Sequence, residues 1–277
     1  MLRSMLLVWT NFFMRANLTA LTCLVIAASA LRGAEAPRPM STDRPDQTES
    51  AHTVPKGWFQ VEANLLSFTR TLGQNGHTEE ASWGDFLFKY GLTQNMDIEL
   101  GWQPHLTSRE KDAAGLLTQE REGRGDLLLR LKTNHYGNDT GAYALATMPW
   151  VKIPTASSGL GNDAWEYGLT VNQSLDIGGG WELGSSLFLA MAATGNQQHY
   201  FEPAFTLALG RDLTERLGFY IETYQGWLKE DTRYWQSSLD GGFTFMLTEN
   251  VQFDIGVNWY FNGQQALNPF SGISFRF

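Results

Sequence analysis

The stretch Val251–Trp259, VQFDIGVNW, decides the fold. Val251, Phe253, Ile255, Val257 and Trp259 fall on one side of an extended chain; Gln252, Asp254, Gly256 and Asn258 fall on the other. Successive side chains of a strand point to opposite faces, so this alternation predicts a strand with one apolar and one polar face. The same grammar recurs along the chain, in segments of roughly ten residues separated by Gly, Asn, Asp or Pro. In 58–68, Phe59, Val61, Ala63 and Leu65 oppose Gln60, Glu62 and Asn64. In 83–90, Phe86, Phe88 and Tyr90 oppose Asp85 and Lys89, and in 96–103, Ile98, Leu100 and Trp102 oppose Asp97, Glu99 and Gln103. In 125–133, Leu127, Leu129 and Leu131 oppose Asp126, Arg130 and Lys132. Noisier segments lie near 142–153, 165–175, 181–191 and 200–209. Clear ones return at 217–227, 234–247 and 268–277. The expected count is about twelve strands, even in number, as closure of an antiparallel meander requires.

Connection lengths separate a membrane barrel from a soluble sandwich. Connections at 69–82, 104–124 and 154–164 read as long external loops, and those at 91–95 and 248–250 as short inner turns. Short periplasmic turns and longer external loops are the outer-membrane pattern. The connection at 134–141 is long for an inner turn, and those near 228–233 and 262–267 are short for outer loops. Charge is low at 18% and aromatics are 13%, with a mean hydropathy of -0.26. A barrel spreads its lipid-facing residues over alternate positions, so modest hydropathy fits it. Tryptophans near predicted strand ends, among them Trp58, Trp150, Trp227 and Trp259, are expected in interfacial girdles.

Residues 1–36 read as a cleavable signal peptide, with Arg15 ahead of an apolar run and small residues at Ala28–Ala30 and Ala34–Ala36. The single cysteine, Cys23, lies in that leader, so the mature chain carries no disulfide framework. Cleavage after Ala36 leaves 17 basic and 28 acidic residues, net -11. That balance argues against a nucleic-acid partner. The expected partners are outer-membrane lipid, the barrel assembly machinery and a small-molecule solute. No cofactor or metal is expected.

The polar stretch Ser41-Thr-Asp-Arg-Pro-Asp-Gln-Thr-Glu-Ser50, continuing through Val54-Pro55-Lys56-Gly57-Trp58-Phe59-Gln60-Val61-Glu62, resembles the opening of a family of outer-membrane transporters. That family is described as a MetA-pathway component of phenol degradation. The resemblance recurs at Val151-Lys152-Ile153-Pro154-Thr155, at Leu247-Thr248-Glu249-Asn250-Val251-Gln252-Phe253-Asp254 and at Gly272-Ile273-Ser274-Phe275-Arg276-Phe277. It implies an all-β, antiparallel, up-and-down transmembrane barrel over 58–277, passing small, aromatic or hydrophobic solutes.

Segment 37–57 carries Asp43, Arg44, Asp46 and Glu49 and has two readings. It is a plug that folds into the lumen, or a solvated periplasmic tail. The inward faces carry Glu62, Asp85, Asp97, Glu99, Asp126, Glu222, Asp240 and Asp254 against Lys89, Arg130, Lys132 and Arg276. They form either a cation-leaning selectivity lining or a paired network that props the barrel. Ile273, Phe275 and Phe277 share one face of the last segment and are expected to be the signal read by the assembly machinery.

Two rival functions remain at this point: a barrel enzyme, such as a lipid or ester hydrolase or an acyltransferase, and a purely structural barrel. A hydrolase needs a nucleophile, base and orienting group together. The histidines His52, His77, His105, His135 and His199 are placed by the pattern in the tail, outer loops and one turn. No Gly-x-Ser-x-Gly elbow or His-Glu-x-x-His helix is present.

Overall fold

The structure, a computed structural model, describes residues 37–194, 197–229 and 232–277. The expected signal peptide, Cys23 included, lies outside the described residues. Among the described residues fifteen strands form one antiparallel sheet: β1 (Phe59–Gly73), β2 (Gly76–Trp83), β3 (Phe86–Gly91), β4 (Met96–Trp102) and β5 (His105–Asp112) come first. Then follow β6 (Leu117–Gly123), β7 (Leu127–Tyr136), β8 (Tyr143–Ile153), β9 (Glu166–Gly178) and β10 (Trp181–Ala193). The last five are β11 (His199–Asp212), β12 (Leu217–Lys229), β13 (Arg233–Thr248), β14 (Val251–Asn262) and β15 (Ala266–Arg276). β15 pairs back onto β1, from Gln60↔Arg276 to Thr71↔Ala266, and closes the sheet. In lipid every backbone N–H and C=O needs an internal partner, and closure supplies it.

Six of the fifteen strands combine into three staves. β3 and β2 pair with the lower and upper halves of β1, and β4 and β5 pair with β3 and β2 in turn. β7 and β6 continue the series. The barrel therefore has twelve staves, as the alternation predicts. The interruptions fall side by side, at Gly84–Asp85, Gln103–Pro104 and Arg124–Asp126, next to a register shift in β1 between Asn64 and Leu66. Each has a local cause. Gly84 takes φ +71°, Pro104 has no N–H to give the ladder, and Gly125 donates its N–H to the Gln103 carbonyl at 2.8 Å.

This seam corrects the sequence reading. Residues 69–82 and 104–124 are not long loops: most of both stretches are strand, turned tightly at 74–75 and 113–116. Polar side chains cover both faces of β6, which is largely exposed, so no apolar alternation marks it. His77, His105, His135 and His199 accordingly sit on strands β2, β5, β7 and β11. The stretch 154–165 between β8 and β9 remains a long outer loop.

The two faces sort as lipid and lumen. Ile255 is 61% exposed while its neighbour Asp254 is 6% exposed. The exposed set includes Ile98, Leu129, Phe205, Ile221, Leu239 and Phe243, whereas the most buried large side chains are, Met148 apart, polar: Lys89, Lys132, Gln60, Glu99 and Glu222. A soluble protein shows the opposite distribution. Trp227, Trp235 and Trp259 lie on the exposed face. Trp58 is buried under the Arg276 guanidinium, and Trp150 faces inward, so neither belongs to a girdle.

Candidate functional site: the charged lumen

Residues 37–57 run along the inward faces of strands from all round the sheet. The Glu62 carboxylate on β1 accepts the N–H groups of Asp43 and Arg44 at 3.0 Å. Arg44 donates Nε and Nη2 to the two oxygens of Asp254 on β14, at 3.1 and 2.6 Å, and Nη1 to Asn64 at 2.5 Å. The two-pronged geometry of Arg on a carboxylate fixes direction as well as charge. Glu222 on β12 accepts the Gln47 N–H at 2.8 Å and the Thr48 hydroxyl at 2.6 Å. Asp240 on β13 accepts the Gln47 side-chain amide at 2.7 Å, and Asp97 on β4 accepts the Val54 N–H at 2.7 Å. Arg276 on β15 donates to the Arg38 carbonyl at 2.7 Å.

A second layer joins opposite charges. Lys89 lies 2.5 Å from both Asp43 and Glu62, and Lys132 lies 2.7 Å from Asp43 and 3.3 Å from Glu99. Arg130 pairs with Glu49 at 2.5 Å and lies 3.7 Å from Glu99. Burial alone would raise the Asp43 carboxyl, but Lys132 and Lys89 outweigh it and hold Asp43 well below the usual carboxylate range. Burial pushes Glu49 up to about 8, opposed by Arg130. Burial and the nearby Glu222 raise Asp46 well above the usual range.

Ten of the inward residues singled out in the sequence meet segment 37–57 directly or through one partner: Glu62, Lys89, Asp97, Glu99, Arg130, Lys132, Glu222, Asp240, Asp254 and Arg276. Asp85 is the eleventh, reached from Arg44 through Asn64, and only Asp126 does otherwise; both lie at the seam. Asp85 accepts from Ser82 at 2.5 Å and Asn64 at 3.0 Å. Asp126 accepts the N–H groups of Thr155 and Ala156 at 2.8 Å and lies 3.4 Å from Lys152. Residues that the sequence reading passed over also take part: Asn64, Thr48, Ser186, Asn134 and Lys152. Lys152 and Trp150 share the parity of buried Ala144, Ala146 and Met148 in β8, a signal present in the sequence but masked by that strand's small residues. In the last stave, Ile273 and Phe275 pair with Ala63 and Val61 of β1, and Phe277 follows directly in the chain.

Above the segment lies a cavity of about 490 Å³, lined by charged residues and by Leu87, Leu128, Trp150 and Leu160. Among the described residues no cluster of His, Cys, Asp or Glu is spaced to hold a metal ion. His77 pairs with Glu79 at 3.1 Å, His199 with the Trp165 carbonyl at 2.8 Å, and His105 stacks on Trp83.

A closed antiparallel barrel with an apolar outside and a charged inside is an outer-membrane β-barrel. The chain belongs to the family described as "Putative MetA-pathway of phenol degradation", which matches residues 42–277. Its fold is similar to the COG4313 outer membrane channel from Pseudomonas putida F1, at 13% identity and a TM-score of 0.62, over 82% of this chain and 98% of that one. It is also similar to the NanC porin, at 11% identity and a TM-score of 0.50, over 76% and 98% of the two chains. None of the curated proteins matches it in sequence.

Proposed function

We propose that this protein is a narrow outer-membrane channel for small solutes, with residues 37–57 as a constriction inside its lumen. The observation that carries the reading is the spread of that segment's anchors: Glu62, Asp97, Glu222, Asp240 and Asp254 come from five strands around the barrel. A solvated tail would not use up the lumen's carboxylates in this way. A barrel of twelve staves lies between eight, whose interior side chains fill, and sixteen, which leave an aqueous channel. A modest segment is then enough to narrow it. The same charges, largely paired, favour a propped lumen over a ring of free charge. Ile273, Phe275 and Phe277 are the proposed assembly signal, and outer-membrane lipid and the assembly machinery are the proposed partners. The histidine contacts favour a channel over an enzyme. The related family's phenol label makes aromatic solutes the first to try.

Single-channel recording in planar bilayers tests the constriction. The intact mature protein should give a small, steady conductance, and deletion of residues 37–56 should raise it severalfold. Equal conductance from both forms would place the narrow point elsewhere. No conductance from either form would overturn the channel.

Acidity should tighten the constriction. Glu49 is pushed up to about 8 when seated, so seating takes up a proton there as pH falls below about 8, and Asp46, also raised above its ordinary range, acts in the same direction. Asp43 lies well below its ordinary range, so its contribution is fully present above the usual carboxylate value and is lost only in strong acid. Conductance of the intact protein should therefore fall between pH 8 and pH 5, within the severalfold range set by the deletion, as the seated-to-unseated ratio grows by up to about tenfold per pH unit for each proton taken up. A rise over that interval would contradict this sign.

A further inference from the structure

The cavity above the segment has a charge balance that pairing does not close. Its lining carries six carboxylates, Asp43, Asp46, Glu49, Glu62, Asp85 and Asp126, against three bases, Arg44, Arg130 and Lys152. Four of the six have a base. Asp43 and Glu62 take Lys89 from behind the lining, Glu49 takes Arg130, and Asp126 takes Lys152. Arg44 is committed to Asp254, outside the cavity. Among the described residues no ion pair reaches Asp46 or Asp85. Asp85 is only 8% exposed, and its Oδ1 has no hydrogen-bond partner. A buried carboxylate oxygen left open in this way is costly unless something arrives to meet it.

Apart from Asn64 and Gln103 the rest of the wall is apolar, and two glycines shape it. A Cβ on Gly101 would stand 3.3 Å from Leu128 and 3.6 Å from Leu87, so its absence lets these two leucines close into one surface. A Cβ on Gly168 would stand 2.7 Å from the Trp150 ring, so the indole lies against bare backbone there. Leu160 of the 154–165 loop reaches the same space.

We propose that this cavity binds an organic cation, its ammonium head facing Asp46 and Asp85 and its apolar body lying along Leu87, Leu128, Trp150 and Leu160. The aromatic face of Trp150 suits either end of such a molecule, since a ring attracts cations as well as hydrocarbon. A neutral alcohol could meet the Asp85 oxygen with its O–H but would leave the charge unbalanced, and a carboxylate would add a further anion. The site rests on the reading of the protein as a solute channel, and gives that channel a preference of charge.

Isothermal titration of the mature protein in non-ionic detergent tests it, with hexylammonium, hexanol and hexanoate as probes. Hexylammonium should bind about tenfold or more tightly than the other two, the scale of one charged contact. Asp85→Asn should remove most of that preference while leaving hexanol binding unchanged. Asp46→Asn, which lies off the barrel wall, should lower the preference in alkaline buffer, where Asp46 gives up its proton, and covers the case in which Asp85→Asn does not fold. Trp150→Ala should weaken hexylammonium and hexanol alike. Equal binding of hexanoate, or a preference that survives both aspartate substitutions, would overturn the site. The titration does not depend on passage. Cation binding by a protein that conducts nothing would leave the site standing and remove the channel. Conduction without charge-selective binding would do the reverse.

Discussion

Asp43→Asn should open the lumen almost as far as removing the whole N-terminal segment. Asp43 lies within 2.5 Å of Lys89 and 2.7 Å of Lys132, and both lysines are at most 2% exposed. It also accepts the Ser50 N–H at 2.9 Å, which folds the segment back on itself. Asparagine keeps the shape and loses the charge. Lys89 then keeps Glu62 and Lys132 keeps Glu99, both on barrel strands, so the barrel retains a balanced interior. The loss falls on the segment. Two charge-assisted hydrogen bonds to the segment are lost, together about 3–6 kcal/mol. Even the lower figure shifts the seated population by more than about a hundredfold. The expected result is a severalfold rise in single-channel conductance, together with new protease cleavage in 37–57. Heat-modifiable mobility on gels should persist. Wild-type conductance in this variant would mean that Asp43 anchors nothing.

Ile255→Arg should cost the barrel about 2–4 kcal/mol of folding free energy in lipid vesicles, the range for a cation on the lipid face near the midplane. Ile255 stands near the middle of β14, between Phe243 of β13 and Ser271 of β15, and 61% of it is exposed. In a soluble protein that exposure would make the substitution nearly neutral, within about 0.5 kcal/mol. The two environments therefore predict different numbers for the same change. Equilibrium unfolding in urea from vesicles measures it, and a neutral result would mean that this face does not meet lipid.

How much of this was legible in sequence depends on which physical term dominates each element. β14 was legible because lipid on one side and a charged lumen on the other force a strict alternation from Val251 to Trp259. β12 and β13 follow the same rule, with Phe219 and Ile221 outward against Tyr220 and Glu222. β2, β5 and β6 were not legible. They carry ladders such as Arg109–Glu120 and Lys111–Glu79 that are polar on both faces, so composition alone gives a loop. The inward parity of Lys89, Glu99 and Lys132 could be read, while 37–57 kept two readings, plug and tail. The partners could not be read. Arg44 and Asp254 are 210 residues apart, and only closure of the sheet brings them together. The open oxygen on Asp85 depends on the seam, which itself depends on a register shift that no spacing announces.

The anchors of segment 37–57 also carry information about order in time. Its partners are drawn from β1 and β3 early in the chain, from β10 and β12 midway, and from β14 and β15 at the end. Until the last stave has met the first, Arg44 has no Asp254 and the Arg38 carbonyl has no Arg276. Seating is therefore a late event, and a seated segment certifies a finished circumference. Meanwhile Lys89 and Lys132 lack Asp43, so a half-built barrel holds its positive charges more loosely than a complete one. On the proposed reading of the segment, maturation and constriction are a single step.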